Sequence, residues 1–572
     1  MKTMKKIAMI FLASLLSCGS VGCFNRTGGE ELDKTKTQLY VTTFEGGYGA
    51  SWLEAVKTRF EAAYANVSFE AGKTGVQVIL KEDRNLTNTT LVNNLAGSNQ
   101  EVFFTEAVNY YDLQSRGLLY DISDAVTKPL NYDFNSASTV AGEETVSMGD
   151  KMRDAHKEYF MADDGKYYGI PFYEANYGIV YDVDLFEAEN LYFAAEGKGD
   201  ADGFVRSNSE TRANGPDGKA GTADDGLPAT YDDFFKLCDR MVTLGITPIT
   251  WTGKNPHYVN VLVEAMQADY EGEEQMRLNF TADGLATNLV ESINADGSVN
   301  VYSEEITIDN GYLTWTKQAG KYYALTFIER LTANQSYYSK KDVISPSYEH
   351  IDAQNAFISN KFIQGKQSIG MLIDGSWWHN EASNTFKAAA NKYGYQAGSQ
   401  ARRFGFMPFP KATADKVGED YTVLETNSSI CFVNGNLDKK KDKLVKEFIQ
   451  FCHTNASLAE FTSITYTCKP YDYTMTNDEV NAMPYWGRDL YRMHNEAHFM
   501  SAYSKSAIYR ANAGSFTEHF NGKMYQSQIG NSTHNIVPTA MIEKGVSAKD
   551  YFNGLSTYLT ESKWASEFVP AV

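Results

Sequence analysis

Basic residues are the first scarcity. Against 72 Asp and Glu the 572-residue chain has only 52 Lys and Arg, for a formal net charge of −20. Binding to phosphate backbones or anionic bilayers needs a basic face, which excludes nucleic acid and an electrostatic membrane partner. Long apolar runs are scarce too. After residue 23 no stretch stays apolar for 18 residues, so a spanning helix is excluded there and the remainder is expected to be soluble. Cysteine is sparse, and Cys238, Cys431, Cys452 and Cys468 lack CxxC spacing. Buried free thiols are expected, with a Cys452–Cys468 disulfide as the alternative. No Gly-x-Ser-x-Gly, phosphate-cradling glycine loop or internal repeat occurs, so catalytic machinery is not visible. What remains, 43% hydrophobic and 22% charged, is an ordinary globular balance.

The first residues carry an address. Lys2, Lys5 and Lys6 precede an apolar run from Ile7 to Leu16, long enough for a signal peptide and too short to cross a bilayer. Leu15-Leu16-Ser17-Cys18 resembles the lipobox of bacterial lipoproteins, whose cysteine is acylated and becomes the new N-terminus; Cys23, after Gly22, is the alternative. An ordinary secretory signal with two incidental cysteines is the competing reading. Cleavage before Cys18 removes three lysines and no acidic residue, which deepens the negative charge. The expectation is an extracytoplasmic, monomeric protein held to the cell membrane only by lipid.

Aromatics are abundant instead: 37 Tyr, 32 Phe and 7 Trp, 13% of the chain. Tyrosine in such number suits surfaces that are apolar on one side and hydrogen-bonding on the other. Sugars present that mixture.

Residues 24–36 read as a polar tether. Strands are predicted at Gln38–Phe44, Val76–Leu80 and Glu101–Phe104, with helices at Ala50–Tyr64 and Thr89–Ala96 between them. This alternation implies a parallel sheet covered by helices, with ligands beyond the strands' carboxyl ends, beside Glu45–Tyr48 and Thr105–Tyr111. A second unit starts near Ile170–Glu174. Strands follow at Tyr177–Tyr181, Ile249–Trp251, Gln367–Ile373, Phe404–Phe409 and Ser428–Val433. Helices are predicted at Tyr231–Leu244, Tyr258–Tyr270 and Lys439–Asn455, and most of the chain from Tyr471 onward reads as helical. Ala195–Pro228 and residues 290–315 read as insertions.

Three further segments carry a likeness beside the lipobox. They are Thr43-Phe-Glu-Gly-Gly-Tyr48, Ile170-Pro-Phe-Tyr-Glu174 leading into Gly178–Phe186, and Gly365-Lys-Gln-Ser-Ile-Gly-Met-Leu-Ile-Asp-Gly-Ser-Trp377. On these the chain resembles the extracellular solute-binding proteins of carbohydrate ABC transporters, the group that includes maltose-binding protein. The resemblance implies an α/β, type II periplasmic-binding-protein fold of two lobes closing about a hinge. Transferred here, residues 1–17 are the signal peptide and 18–37 the lipidated tether. Residues 38–172 plus 430–470 form lobe one, and 173–429 plus 471–572 form lobe two. The crossings fall near Tyr173–Tyr177, Leu424–Ile430 and Pro470.

The resemblance also points to ligand-binding residues. Trp251 and Trp377 match positions where the family carries sugar-stacking aromatics; Tyr48, Tyr110, Tyr173 and Trp486 join them as aromatic candidates. Glu45, Glu106, Glu174, Asp374 and Arg488 are the polar candidates, since carboxylates accept paired sugar hydroxyls. Core packing competes for each ring, and a solvated surface or a helix cap competes for each carboxylate.

Two metal patterns need weighing. His494 and His498 stand one helical turn apart, half of a zinc site, but without the HExxH glutamate or a third ligand the structural reading is preferred. Asp217, Asp224 and Asp225 sit among tight glycine turns that suit calcium, with Asp200 and Asp202 nearby; a metal-free Asp/Gly turn is the alternative. Calcium there orders an insertion and does no chemistry, so no cofactor is required. The implied function is capture of an oligosaccharide and delivery to a permease driven by a separate ATPase. The alternative is a cell-surface polysaccharide-degrading enzyme using paired carboxylates such as Glu106 and Asp374. A helical glycan-docking lipoprotein is contradicted by the strand-rich opening.

Overall fold

A computed structural model describes residues 31–570 except 45, 85, 87, 107, 131–141, 395–401, 427–428 and 518–522. Cys18, Cys23, the signal segment and Glu45 lie outside the described residues. The first sheet contains β1 (Thr37–Phe44), β2 (Val76–Asp83), β3 (Val102–Thr105), β4 (Gly169–Pro171) and β12 (Ile430–Val433), in the order β2-β1-β3-β12-β4. β1 runs parallel to β2 and β3, while β12 is antiparallel to β3 and β4. Parallel neighbours need a crossover, and the Ser51–Ala63 helix supplies it between β1 and β2. Trp52, Leu53, Val56 and Phe60 make one buried stripe on that helix.

The second sheet has the order β10-β5-β9-β6, from β5 (Tyr177–Asp182), β6 (Thr247–Thr250), β9 (Ile369–Gly375) and β10 (Phe404–Met407). Every residue of β5 and β9 is buried, as expected of strands covered on both faces. Three two-stranded ribbons complete the set: β7 (Gly284–Ile293) with β8 (Val299–Ile306), β11 (Thr422–Glu425) with β13 (His498–Ser501), and β14 (Ser527–Ile529) with β15 (Ser532–His534).

The fold has two lobes, one on each large sheet. The chain passes from β4 to β5 through residues 172–176 and returns from β11 to β12. These passages lie side by side with the segment around 468–471. Glu174 N–H donates to the Cys468 carbonyl (3.0 Å), Thr426 N–H to Ala175 (3.0 Å), and Ser429 hydroxyl to the Tyr173 carbonyl (2.8 Å). The Tyr471 hydroxyl closes the group on the Pro171 carbonyl (3.0 Å). A few strands joining two packed bodies make a hinge.

Where local patterns were ambiguous, the structure differs from the sequence reading. Residues 290–315 are largely the β7–β8 hairpin. Register shifts between Ala286 and Leu289 and between Val290 and Ser292 break the two-residue alternation, which hid the strands. The helix expected over Tyr258–Tyr270 runs as His257–Thr281, bending where Gly272 takes φ 72°. Cys238, Cys431, Cys452 and Cys468 are free and buried. One buried cation is unusual. Lys469 Nζ lies 4.6 Å from the Trp52 ring centre and 5.0–5.5 Å from those of Phe461, Phe104 and Phe172. Burial pushes its pKa down to about 8.

Candidate functional site

Two strand ends meet where the lobes touch. β1 runs out at Phe44 into Gly46-Gly47-Tyr48-Gly49; β9 runs out at Gly375 into Ser376-Trp377. The Trp377 indole stands edge-on to Tyr177 (centroids 4.8 Å, 82°), and Tyr177 meets Tyr258 the same way (5.2 Å, 85°). Gly47 packs on that indole: a Cβ there would lie 2.8 Å from Trp377 Cδ1. Asn380 Nδ2 donates to the Gly47 carbonyl at 2.6 Å. Tyr48 reaches the same junction, its hydroxyl donating to the Glu174 carbonyl (3.0 Å) and lying 3.3 Å from Ser376 Oγ. Its ring rests 4.2 Å from that of Tyr173. The glycine loop of lobe one is therefore seated on the Ser376–Asn380 turn of lobe two.

Carboxyl groups gather beside these rings. Gln354 Nε2 donates to Asp374 Oδ2 (3.1 Å) and to Glu381 Oε2 (2.7 Å), bridging the two acids. Glu106, half-buried after β3, comes from the other lobe; its Oε1 would be 3.7 Å from a Cβ on Gly46. Burial, reinforced by the Glu381 charge, raises the pKa of Glu106 and of Asp374 to about 8.

Glu174 is committed elsewhere. It pairs with Arg153 and accepts from His494 Nδ1 (2.6 Å), and Arg153 Nη1 also lies 3.6 Å from Glu425. Burial alone would raise the Glu174 pKa, but Arg153 and His494 hold it below the usual range. Glu174, Cys468 and His494 have metal-compatible spacing, within 4.8 Å of one another. Arg153 already pairs with Glu174, and its Nη2 lies 3.0 Å from the same His494 nitrogen, so the group works as a charge network tying the crossing strands together.

Tyr48, Tyr173, Glu106, Asp374 and Trp377 thus come together at the lobe junction, with Glu174 just behind them. Other candidates do not join them. Tyr110 is 1% exposed, its hydroxyl donating to the Phe160 carbonyl (2.8 Å). Trp251 is fully buried against Tyr338 (5.0 Å). Trp486 packs on Trp378 (5.4 Å) and Phe406 (5.8 Å) inside lobe two. Burying a large ring in the core outweighs presenting it to a cleft unless the backbone turns it outward. Arg488 is half-exposed, 5.9 Å from the Tyr485 ring centre. The proposed histidine pair is also corrected. The helix Tyr485–Glu496 ends before His498, which opens β13 and pairs with Glu273 (2.5 Å).

Asp217, Asp224 and Asp225 bond within their own loop: Asp217 accepts from Lys219 N–H (2.7 Å), Asp224 from Asp217 N–H (3.0 Å), and Asp225 from Gly221 N–H (2.8 Å). Sequence reasoning missed Tyr177, Tyr258, Gln354, Asn380 and Glu381. Asn380 and Glu381 stand one helical turn past Trp377 on the Trp378–Glu381 helix, a spacing that could have found them.

Residues 45–457 match the family model described as bacterial extracellular solute-binding protein. No curated protein sequence is significantly similar. Among solved structures, the apo form of RafE from Streptococcus pneumoniae has a TM-score of 0.52 at 12% identity, covering 93% of this chain and all of its own. A chitin oligosaccharide binding protein has 0.52 at 15% identity, with 94% of this chain and 100% of that one covered. BlMnBP1, the binding protein of an ABC transporter from Bifidobacterium animalis subsp. lactis, solved with mannobiose, has 0.52 at 12% identity and covers 95% and 99%. At such identities the likeness bears on the fold.

Proposed function

Because the chain belongs to the bacterial extracellular solute-binding proteins, we propose that it captures an oligosaccharide between its lobes and delivers it to the permease of an ABC importer. One observation carries the reading: Trp377, backed by Tyr177, sits where the Gly46–Tyr48 loop of lobe one meets lobe two, with Glu106 and Asp374 alongside. The sugar specificity of structural neighbours supports it. In the mechanism, separation of the lobes uncovers the indole. A sugar lays its C–H face on Trp377, and its hydroxyls reach the carboxyl groups. Contacts to both lobes then favour the closed form, the form a permease distinguishes from the open one. One stacked ring buries on the order of 100 Å², about 2.5 kcal/mol at ~25 cal/mol/Å². Further stacks and charge-assisted hydrogen bonds reach the ~8 kcal/mol of a micromolar complex.

The same reading makes the protein a monomer that neither makes nor breaks a bond and is anchored through acylated Cys18. Titration calorimetry against mono- and oligosaccharides, with chromatography of each sugar after incubation, tests the binding role. Saturable binding with unchanged sugar is expected; released product would instead favour the hydrolase. Cys18→Ala should move the protein from the membrane fraction to the medium, and retention on the membrane would reject that anchor.

A further inference from the structure

Charge at the lobe junction is lopsided. Glu106, Asp374 and Glu381 converge there, and among the described residues neither Glu106 nor Asp374 has an ion-pair partner. Glu381 has, among the described residues, one such partner, His350, whose Nε2 lies 3.6 Å from its Oε1. The other polar group between them, the Gln354 amide, is neutral and already divided between Asp374 and Glu381. Three rings in mutual contact, Trp377, Tyr177 and Tyr258, stand beside these acids. A second feature points inward: Tyr177 is 3% exposed, its hydroxyl has no hydrogen-bond partner among the described residues, and it feels the charges of Asp374, Glu106 and Glu381. Carboxyl acceptors, a hydroxyl and π faces lie together at the junction, and among the described residues no Lys or Arg pairs with Glu106 or Asp374.

From this juxtaposition we infer that the preferred ligand is a sugar bearing a protonated amino group; the inference rests on the carbohydrate reading above. Burial and the Glu381 charge oppose ionisation of Glu106 and Asp374; a cation beside them would favour their ionised forms, which a neutral sugar does not do. An ammonium supplies three donors and a positive charge. It donates charge-assisted bonds to Glu106 and Asp374 and is attracted by ring faces. The Tyr177 hydroxyl is left to meet a ring or hydroxyl oxygen of the same sugar.

The test is calorimetry at pH 7 in EDTA. The panel sets glucosamine, galactosamine and mannosamine, as monomers and short oligomers, against the matching neutral and N-acetylated sugars. At least one free-amine member is expected to bind tenfold or more tightly than both of its counterparts. Glu106→Gln, whose thermal melt checks the fold, should narrow that ratio to about threefold or less, and Arg488→Gln, away from the junction, should leave the preference in place. Neutral or acetylated sugars binding as tightly as the amines would overturn the inference and leave the carbohydrate reading standing. An amine preference untouched by Glu106→Gln would also overturn it. If no sugar binds at all, the carbohydrate reading itself fails and takes the inference with it.

Discussion

Gly47→Ala places a single methyl group between the lobes. Its Cβ would stand 2.8, 2.9 and 3.0 Å from Trp377 Cδ1, Cβ and Cγ, against an ordinary carbon–carbon contact of about 3.5–4.0 Å. Gly47 is not among the glycines in the left-handed region, so alanine meets no backbone strain and the cost falls on the interlobe contact. Overpacking of this kind costs about 1–3 kcal/mol. As a change in the ratio of closed to open ligand-free protein, that is about 5- to 150-fold toward open. Small-angle scattering of the ligand-free protein is the assay, and the radius of gyration should rise. Gly97→Ala is the control, because a methyl there meets nothing within 4 Å. Unchanged scattering together with a lowered melting temperature would refute the reasoning, since the contact would then belong to the folding of one body and not to the meeting of two.

Trp377→Ala should weaken oligosaccharide binding by about 2.5 kcal/mol, near 70-fold, while far-ultraviolet circular dichroism stays native; unchanged affinity by calorimetry would remove the indole from the site. Closure without ligand should depend on pH. The closed form raises Glu106 and Asp374 to about 8, so its advantage over an open form with ordinary carboxylates is complete below about pH 4 and is lost as pH rises through about 8. Scattering from pH 4 to 9 should show the radius of gyration increasing, and Glu381→Gln should damp the change; a flat profile in the wild type would contradict it. Lys469→Met should hold or raise the melting temperature at pH 7 by a degree or two, because a buried ammonium that among the described residues rests on ring faces gives way to an apolar chain of similar length. A fall of several degrees would show that the cation–ring contacts outweigh desolvation.

What could be read from the chain follows from how far each signal reaches. The parallel start of the first sheet was legible because Leu39, Val41, Val78 and Phe104 are apolar in short runs separated by one amphipathic helix. The glycine loop and the Asp374–Trp377 turn were legible because each directly follows such a run. Trp251 and Trp486 pack in the core, which the rule that ligands lie at strand ends does not foresee, since it locates a backbone segment and says nothing about which way a ring turns. Tyr177 and Glu381 were missed for the opposite reason. Tyr177 reads as one more core residue of a buried strand, and its place beside Trp377 appears only when β5 and β9 are aligned with Tyr177 opposite Gly375. The β7–β8 hairpin was illegible because its bulges erase the alternation that marks a strand.

The central claim is that two lobes close on a sugar. Spin labels on Asn66→Cys and Lys387→Cys, both exposed and one on each lobe, allow the interlobe distance to be measured by pulsed electron resonance. Cys238, Cys431, Cys452 and Cys468 are buried and should stay unlabelled, and Cys23→Ser removes a further thiol from the labelled protein. Without ligand the distribution should be broad, and saturating oligosaccharide should collapse it to its short component. Identical distributions with and without a sugar that calorimetry shows to be bound would contradict the account.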